Sequence, residues 1–334
     1  MQAKSVPLIF AKKTFKTFRL RILRTKLMKT AFVFPGQGSQ TVGMGKEFYD
    51  NFSIARQVFE EVDDALNEKL SNIIFNGPMD ELTLTFNAQP AIMATSIAIL
   101  RVLKHETGKK IEDLCQYVAG HSLGEYTALC AAESISLSDT AKLVRLRGKT
   151  MQNAVAPGVG AMAAVLGMDI EILKGILNEV SGNDVTCEIA NDNCPGQIVI
   201  SGHTEAVDLA ITKIIEAGNK AIKLPVSAPF HCSLMEPVKE VMSEALNNCR
   251  IIASKIPVVA NVKASAISKP EEIIECLVKQ ISGMVRWRES IAQLKALGIE
   301  KVIEVGTGKV LSGMNKRIDN TLILSNIQSI TDIA

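Results

Sequence analysis

The sequence predicts an α/β protein in which a small α+β unit interrupts a larger α/β domain. Three observations carry this. Short apolar runs at Thr30–Phe34, Tyr117–Ala119, Pro257–Val262 and Lys301–Val305 alternate with amphipathic stretches, the pattern of a parallel sheet covered by helices. Between residues 158 and 226 the order becomes β-α-β-β-α-β, the ferredoxin-like order. At 334 residues, with 47% hydrophobic and 22% charged residues, the chain has the size and composition of an ordinary globular protein with one large interrupted domain.

The N-terminal stretch is set aside first. Residues 1–29 carry nine Lys or Arg and the first acidic residue is Glu47, whereas the remainder has 28 basic against 35 acidic groups, a net of −7. The leader 1–28 reads as a transit peptide, being basic, acid-free and partly amphipathic, or as upstream reading frame before a start at Met28. "MKTAFVF" makes a direct entry into a strand, which favours the second reading, a disordered or non-native leader and a cytoplasmic protein. The mildly acidic body leaves no basic face for nucleic acid. The longest apolar run, Ala91–Leu100, stops at Arg101, short of the ~20 residues that span a bilayer, so no membrane partner is expected. Seven scattered cysteines without a C-x-x-C pair, and four histidines without ligand spacing, point to a reducing compartment with neither a disulfide framework nor a metal site.

The elements follow in order. Strand Thr30–Phe34 ends at Pro35-Gly36, and helices are expected over Glu47–Lys69 and Ala88–Glu106. Strand Tyr117–Ala119 feeds a helix from Ser122 to Glu133, and another helix runs from Leu137 to Val155, capped by Ser136 or Ser138. The small unit, 158–226, comprises strand Gly160–Met168, helix Asp169–Val180, strands Val185–Asn191 and Gln197–Gly202, helix Thr204–Ala217 and strand Lys220–Pro225. The large domain is therefore 29–157 together with 227–334.

Ser122 lies in Gly120-His121-Ser122-Leu123-Gly124, a G-x-S-x-G between strand and helix. Such a turn needs small residues two before and two after the serine, and it aims the following amide at a developing oxyanion. The device belongs to α/β-hydrolase-like domains, so the large domain is expected to be of that kind. A serine here could equally cap the helix. As a nucleophile it needs a base. His105 and His203 sit at solvated element ends, and the His121 side chain should point away from its neighbour. His231, in "PVSAPFHCSLM", is either a base or a satisfied structural residue. On the helix "KLVRLRGKTMQNAV", Lys142, Arg145, Lys149 and Gln152 share a polar face, while Arg147 falls on the apolar flank. A buried arginine needs a carboxylate, from the protein or from a substrate. "PGQGSQTVGMG" and "VGTGKVLSG" both miss nucleotide-loop patterns, but the first could lend an amide to an oxyanion.

Together "FVFPGQGSQ", "AGHSLGEY", "RLRGKTMQ", "NDNCPGQIVISG", "SAPFHCSLM", "LVKQISGMVRW" and "EVGTGKVLSGM" resemble the malonyl-coenzyme A:acyl carrier protein transacylases of bacterial-type fatty-acid synthesis, from Lys29 to the C-terminus. The resemblance implies Ser122 as nucleophile, His231 as general base, and the backbone amides of Gln37 and Leu123 as oxyanion hole. It implies Arg147 as the holder of the malonyl carboxylate. Gln280 falls in the segment whose main-chain carbonyl orients the base, in place of a buried aspartate. Asn191 and Asn193 match positions lining the cleft, and Phe230 should crowd an α-methyl branch. The implied partners are malonyl-coenzyme A and acyl carrier protein, the chain is expected to be a monomer, and no metal or redox cofactor is implied. Arg286, Arg288, Lys316 and Arg317 are candidates for contacting an acidic carrier protein. A serine thioesterase or esterase using the same elbow is the nearest rival, but Arg147 has no purpose in simple ester hydrolysis. A catalytically idle module that only docks carrier protein is the other.

Overall fold

The computed structural model describes residues 28–182, 184–226 and 228–333. The expectations for the leader fall, except at Met28, outside the described residues. The strands in chain order are β1 (Thr30–Phe34), β2 (Tyr117–Gly120), β3 (Gly160–Leu166), β4 (Cys187–Cys194), β5 (Gln197–His203), β6 (Lys220–Lys223), β7 (Val258–Ala260), β8 (Ser265–Ile267), β9 (Lys301–Val305) and β10 (Ile323–Ile327). They form a six-stranded sheet in the order β10-β9-β1-β2-β7-β8 and a four-stranded sheet in the order β4-β5-β3-β6. In the first, every pair is parallel except β7–β8. In the second, every pair is antiparallel.

The large sheet is apolar on both faces because helices cover both. Ala31 and Val33 of β1 pack with Trp287, Ile291 and Leu294, while Phe32 and Phe34 face the opposite cluster with Val58, Ile92 and Leu129. From β1 the chain proceeds to β2, β7 and β8 on one side, then returns to place β9 and β10 on the other. That reversal beside β1 leaves a crevice at the carboxyl end of the sheet, where the loop after β1 meets the turn from β2 into the helix Leu123–Ala131. The small sheet packs one face on helices Ile170–Val180 and Thr204–Glu216, around Val165, Leu173, Ile200 and Val207. On it also lies a second apolar group, Met162, Ala190 and Val199, packed with Leu224, Val226 and Phe230. The edge strand β4 is stitched to the large domain: Asp192 N–H donates to Val285 O at 3.0 Å, and Val285 N–H to Ala190 O at 2.8 Å.

Strands β1 and β9 have the expected bounds. The Glu47–Lys69 helix is instead two helices, Lys46–Asn51 and Ser53–Leu66, because Phe52 between them is extended at φ −129°. Its ring lies against Phe48 at a tilt of 30°, 6.4 Å between centroids. The Ala88–Glu106 helix extends over Thr85–Thr107, which makes it long and apolar enough to cross a bilayer, although 89% of its apolar window is buried inside the protein. Thr95, in the middle of that helix, donates its hydroxyl to Ala91 O at 2.9 Å. The helix Leu137–Gln152 is capped by Ser136, whose Oγ accepts from Asp139 N–H at 3.0 Å.

Candidate active site

The turn after β2 is forced by contact distances. A Cβ on Gly120 would lie 1.8 Å from Gly124 O, and one on Gly124 would lie 2.3 Å from Phe34 O. The helix Leu123–Ala131 thus starts hard against the ends of both β1 and β2. Only glycine fits at either position. Between them Ser122 adopts φ 52°, ψ −110°, a strained conformation for a side-chain-bearing residue, costing on the order of 1–3 kcal/mol. Two contacts hold it: Ser122 N–H donates to Asn261 Oδ1 at 2.8 Å, and Gln280 Nε2 donates to Ser122 O at 3.0 Å. Ser122 occupies the N-cap position of the helix, yet its side chain caps nothing. It reaches His231 instead.

Ser122 Oγ and His231 Nε2 are 2.8 Å apart, although 109 residues separate them in the chain. The other ring nitrogen, Nδ1, is 2.9 Å from Gln280 O. A carbonyl can only accept, so Nδ1 carries the hydrogen and Nε2 presents its lone pair to the serine hydroxyl. The residue itself stands at φ 60° and is 4% exposed. Its loop is held from the small sheet, where Glu188 Oε1 accepts from Ser233 N–H at 3.1 Å. Burial pushes the imidazole down to about 3, and the charge on Arg147 adds to the depression. His231 is therefore neutral, and able to accept a proton, at neutral pH.

Arg147 is 2% exposed and is the third member of this set. Gly148 lets its helix press on the start of the Thr85–Thr107 helix, since a Cβ there would meet Phe86 Cα at 2.6 Å. The guanidinium consequently meets neutral acceptors: Gln89 Oε1 at 2.9 Å, Gln280 Oε1 at 3.0 Å and Ser122 Oγ at 3.1 Å. It also lies over the Tyr126 ring, 5.7 Å from its centroid. Among the described residues no carboxylate forms an ion pair with it, and burial lowers its pKa. A charged fork held by neutral groups in a cleft has the chemistry to pair with an outside carboxylate.

The cleft has a volume of about 550 Å³ and is lined by Ser122, His231 and Arg147 with Gln37, Asn191, Asn193 and Phe230 among others. Gln37 follows β1, and Leu123 is the first residue of its helix, before the helical hydrogen-bond ladder begins. Among the described residues neither N–H donates to a side chain or a turn carbonyl. Asn193 Oδ1 is 2.8 Å from His121 Nε2, so His121 does point away from Ser122 and ties the elbow to β4. Asn191 is 6% exposed on the same strand. Gln280 lies behind the cleft, wholly buried. Of the basic candidates, Arg286 pairs with Glu289, Arg288 with Asp192 at 2.8 Å, and Arg317 donates to Pro195 O at 2.7 Å. Lys316 is exposed.

Sequence reasoning missed several polar residues. Gln89, Asn261, Glu125 and the Gln280 side chain all belong to the network, and each is a polar residue in or beside an apolar run, the one signal available in advance. Glu125 is 1% exposed, and burial pushes its carboxyl up to about 7, although the Asn261 and Gln280 hydrogen bonds and the Arg147 charge oppose this. Arg145 was expected on a solvated face and is 6% exposed. It pairs with Glu68 at 2.8 Å and contacts Asn87, so the preceding loop and helix cover what the periodicity alone leaves open to water.

Comparison with known proteins identifies the chemistry. An acyl transferase domain model matches residues 31–320. Over 297 residues the chain is 48% identical to the malonyl CoA-acyl carrier protein transacylase of Bacillus subtilis (strain 168), covering 89% of this chain and 92% of that protein. It is 50% identical to an acyl-carrier-protein-S-malonyltransferase from Bartonella henselae of known structure, with a TM-score of 0.89, covering 92% of this chain and 97% of the other. A malonyl-transacylase solved in complex with a type II PKS acyl-carrier protein is 38% identical, with a TM-score of 0.87, covering 91% of this chain and 97% of the other. The chain belongs to the acyl transferase domain family and, within it, to the malonyl CoA-acyl carrier protein transacylases.

Proposed function

We propose that the protein transfers malonyl from malonyl-coenzyme A to the phosphopantetheine thiol of acyl carrier protein, through a malonyl ester on Ser122, for fatty-acid chain elongation. Ser122 Oγ attacks the thioester carbonyl carbon while His231 Nε2 takes the hydroxyl proton. The Gln37 and Leu123 N–H groups receive the oxyanion of the tetrahedral intermediate. His231 returns the proton to sulfur, the C–S bond breaks, and coenzyme A departs as a thiol. The carrier-protein thiol then enters the same cleft, loses its proton to His231 and attacks the ester carbonyl. The acyl–Oγ bond breaks as His231 returns that proton to Ser122 Oγ, which regenerates the free enzyme. Arg147 holds the free carboxylate throughout and so selects malonyl over acetyl. Its docked carboxylate also neutralises a charge that depresses His231, which makes the imidazole a stronger base once the right substrate is present.

The observation that carries this reading is the buried Arg147 guanidinium, hydrogen-bonded to the same Ser122 oxygen that faces His231 and free of any ion pair among the described residues. The decisive assay follows malonyl from coenzyme A in the presence of purified carrier protein. Malonyl-carrier protein is expected as the dominant product, whereas free malonate as the main product would make the protein a thioesterase. Phe230 on the cleft wall crowds a methyl branch, and Asn191 and Asn193 line the same cleft. The architecture is read as an α/β-hydrolase-like domain, 29–157 and 227–334, with 158–226 a ferredoxin-like insertion. The strand order β4-β5-β3-β6 with β-α-β-β-α-β connectivity supports the latter. The enzyme is read as a cytoplasmic monomer, and peptide mapping of the mature N-terminus separates the two readings of residues 1–28.

The depressed His231 predicts a pH profile. Its base form persists far below the ordinary histidine range, so kcat/KM for Ser122 acylation stays free of a histidine limb from about pH 8 to about pH 5. The buried Glu125 carboxyl is the neighbouring group that titrates near neutrality, and any small inflection it causes near pH 7 disappears in Glu125→Gln. An inflection near pH 6.5 that survives Glu125→Gln contradicts the assignment.

A further inference from the structure

Glu125 follows the nucleophile by three residues and has no part in the steps above. Its Oε2 accepts from Gln280 Nε2 at 2.8 Å and from Asn261 N–H at 3.0 Å. Both partners continue into the site. Gln280 Oε1 accepts from Arg147 Nη2 at 3.0 Å, its main-chain oxygen faces His231, and Asn261 Oδ1 accepts from Ser122 N–H at 2.8 Å. A glutamine side chain has two ends of nearly equal shape and opposite polarity, and nothing within Gln280 decides which end meets the arginine. Glu125 Oε2 accepts whether the carboxyl is ionised or carries its proton on Oε1, which has no partner among the described residues, so it takes the NH2 end and leaves the carbonyl end for the guanidinium. With the amide turned over, donors would face donors at Arg147 and acceptors would face each other at Glu125 and at Ser122 O, a second and longer acceptor of Nε2 at 3.0 Å. Gln280 and Glu125 are 0% and 1% exposed, so bulk water offers no substitute partner for a misdirected end.

The geometry points to Glu125 as a positioning residue for acyl selection: by accepting from Gln280 Nε2 it holds the Gln280 side-chain oxygen on Arg147, and thereby holds the fork toward a substrate carboxylate. This rests on the reading of Arg147 as the carboxylate holder. The role needs an oxygen acceptor more than a charge. Glutamine at 125 can turn its carbonyl oxygen to both donors, whereas methionine keeps the length and supplies no such acceptor.

The test measures kcat/KM for malonyl and acetyl transfer from coenzyme A to carrier protein with the full chain. Glu125→Met is expected to lower the malonyl-to-acetyl ratio about tenfold, chiefly by raising the KM for malonyl-coenzyme A, the size of one lost hydrogen bond to a charged group. Glu125→Gln should keep the ratio within about threefold of the parent, as the rescuing substitution. Glu125→Met combined with Gln280→Met should lose no more than the worse single variant, because both cut one chain of contacts. Equal losses with both substrates in Glu125→Met, an unchanged ratio there, multiplicative losses in the double variant, or a collapsed ratio in Glu125→Gln each overturn the proposal. Should Glu125→Met fail to fold by circular dichroism, Glu125→Asp withdraws the acceptor by one methylene and must still lower the ratio. Arg147→Ala separates the two levels. A ratio lost there but kept in Glu125→Met refutes only the role of Glu125, whereas a ratio kept in both refutes the reading of Arg147.

Discussion

Ser122→Ala leaves the protein without an acyl-enzyme: intact-protein mass spectrometry after incubation with malonyl-coenzyme A shows only the unmodified chain. Transfer to carrier protein falls by about 10³-fold or more, the scale on which loss of an activated nucleophile acts. The reason is the 2.8 Å contact between Ser122 Oγ and His231 Nε2, which gives this hydroxyl a base that already holds its lone pair in place. Alanine tolerates φ 52° no better and no worse than serine, and the backbone contacts of Ser122 to Asn261 and Gln280 survive, so the melting temperature should change little. A malonyl adduct of undiminished yield on another residue would remove Ser122 from the mechanism.

Arg147→Ala is expected to lower kcat/KM for malonyl transfer by about 10²–10³-fold, the cost of truncating one partner of a buried charge pair. Acetyl transfer should fall far less or rise, so discrimination between the two acyl groups collapses. The loss is specific because, among the described residues, the guanidinium meets the neutral groups of Gln89, Gln280, Ser122 and the Tyr126 face, and under the proposed function the substrate supplies the missing negative charge. Removing the charge also lifts one of the causes that depress His231, so the acid limb of the acetyl reaction should move upward in pH. Arg147→Lys keeps a charge without the fork and should recover only part of the malonyl rate. Equal losses for malonyl and acetyl would return Arg147 to a purely structural role.

Much of the site was legible along the chain because its chemistry is concentrated in short motifs. The glycines flanking Ser122 announce a turn that only glycine permits, and the 1.8 Å and 2.3 Å distances of hypothetical Cβ atoms give the reason. Arg147 stood out as a charge on an apolar flank. Arg145 did not, because periodicity separates helix faces but cannot say that a neighbouring loop covers the polar one. The break at Phe52 was hidden for a related reason. No glycine or proline marks it, and an aromatic contact between Phe48 and Phe52 accompanies it. Glu125, Gln89, Asn261 and the Gln280 side chain look like isolated polar residues in the sequence, and only their convergence makes them a network.

The sequence by itself determined what local sterics and side-chain chemistry decide: the alternating strands and helices, the elbow, the types of residue available as nucleophile, base and cation, and the kinship those motifs carry. The tertiary structure alone decided which of them meet. Ser122, Arg147, His231 and Gln280 come from four separate segments, and their contacts exist only because β1 and β2 end at one crevice and the small sheet returns the chain there. Hydrogen bonds act over about 3 Å while the chain separates these groups by tens to hundreds of residues, so the neutral state of His231, the buried charge of Arg147 and the contact of Glu125 with Gln280 are properties of the folded arrangement.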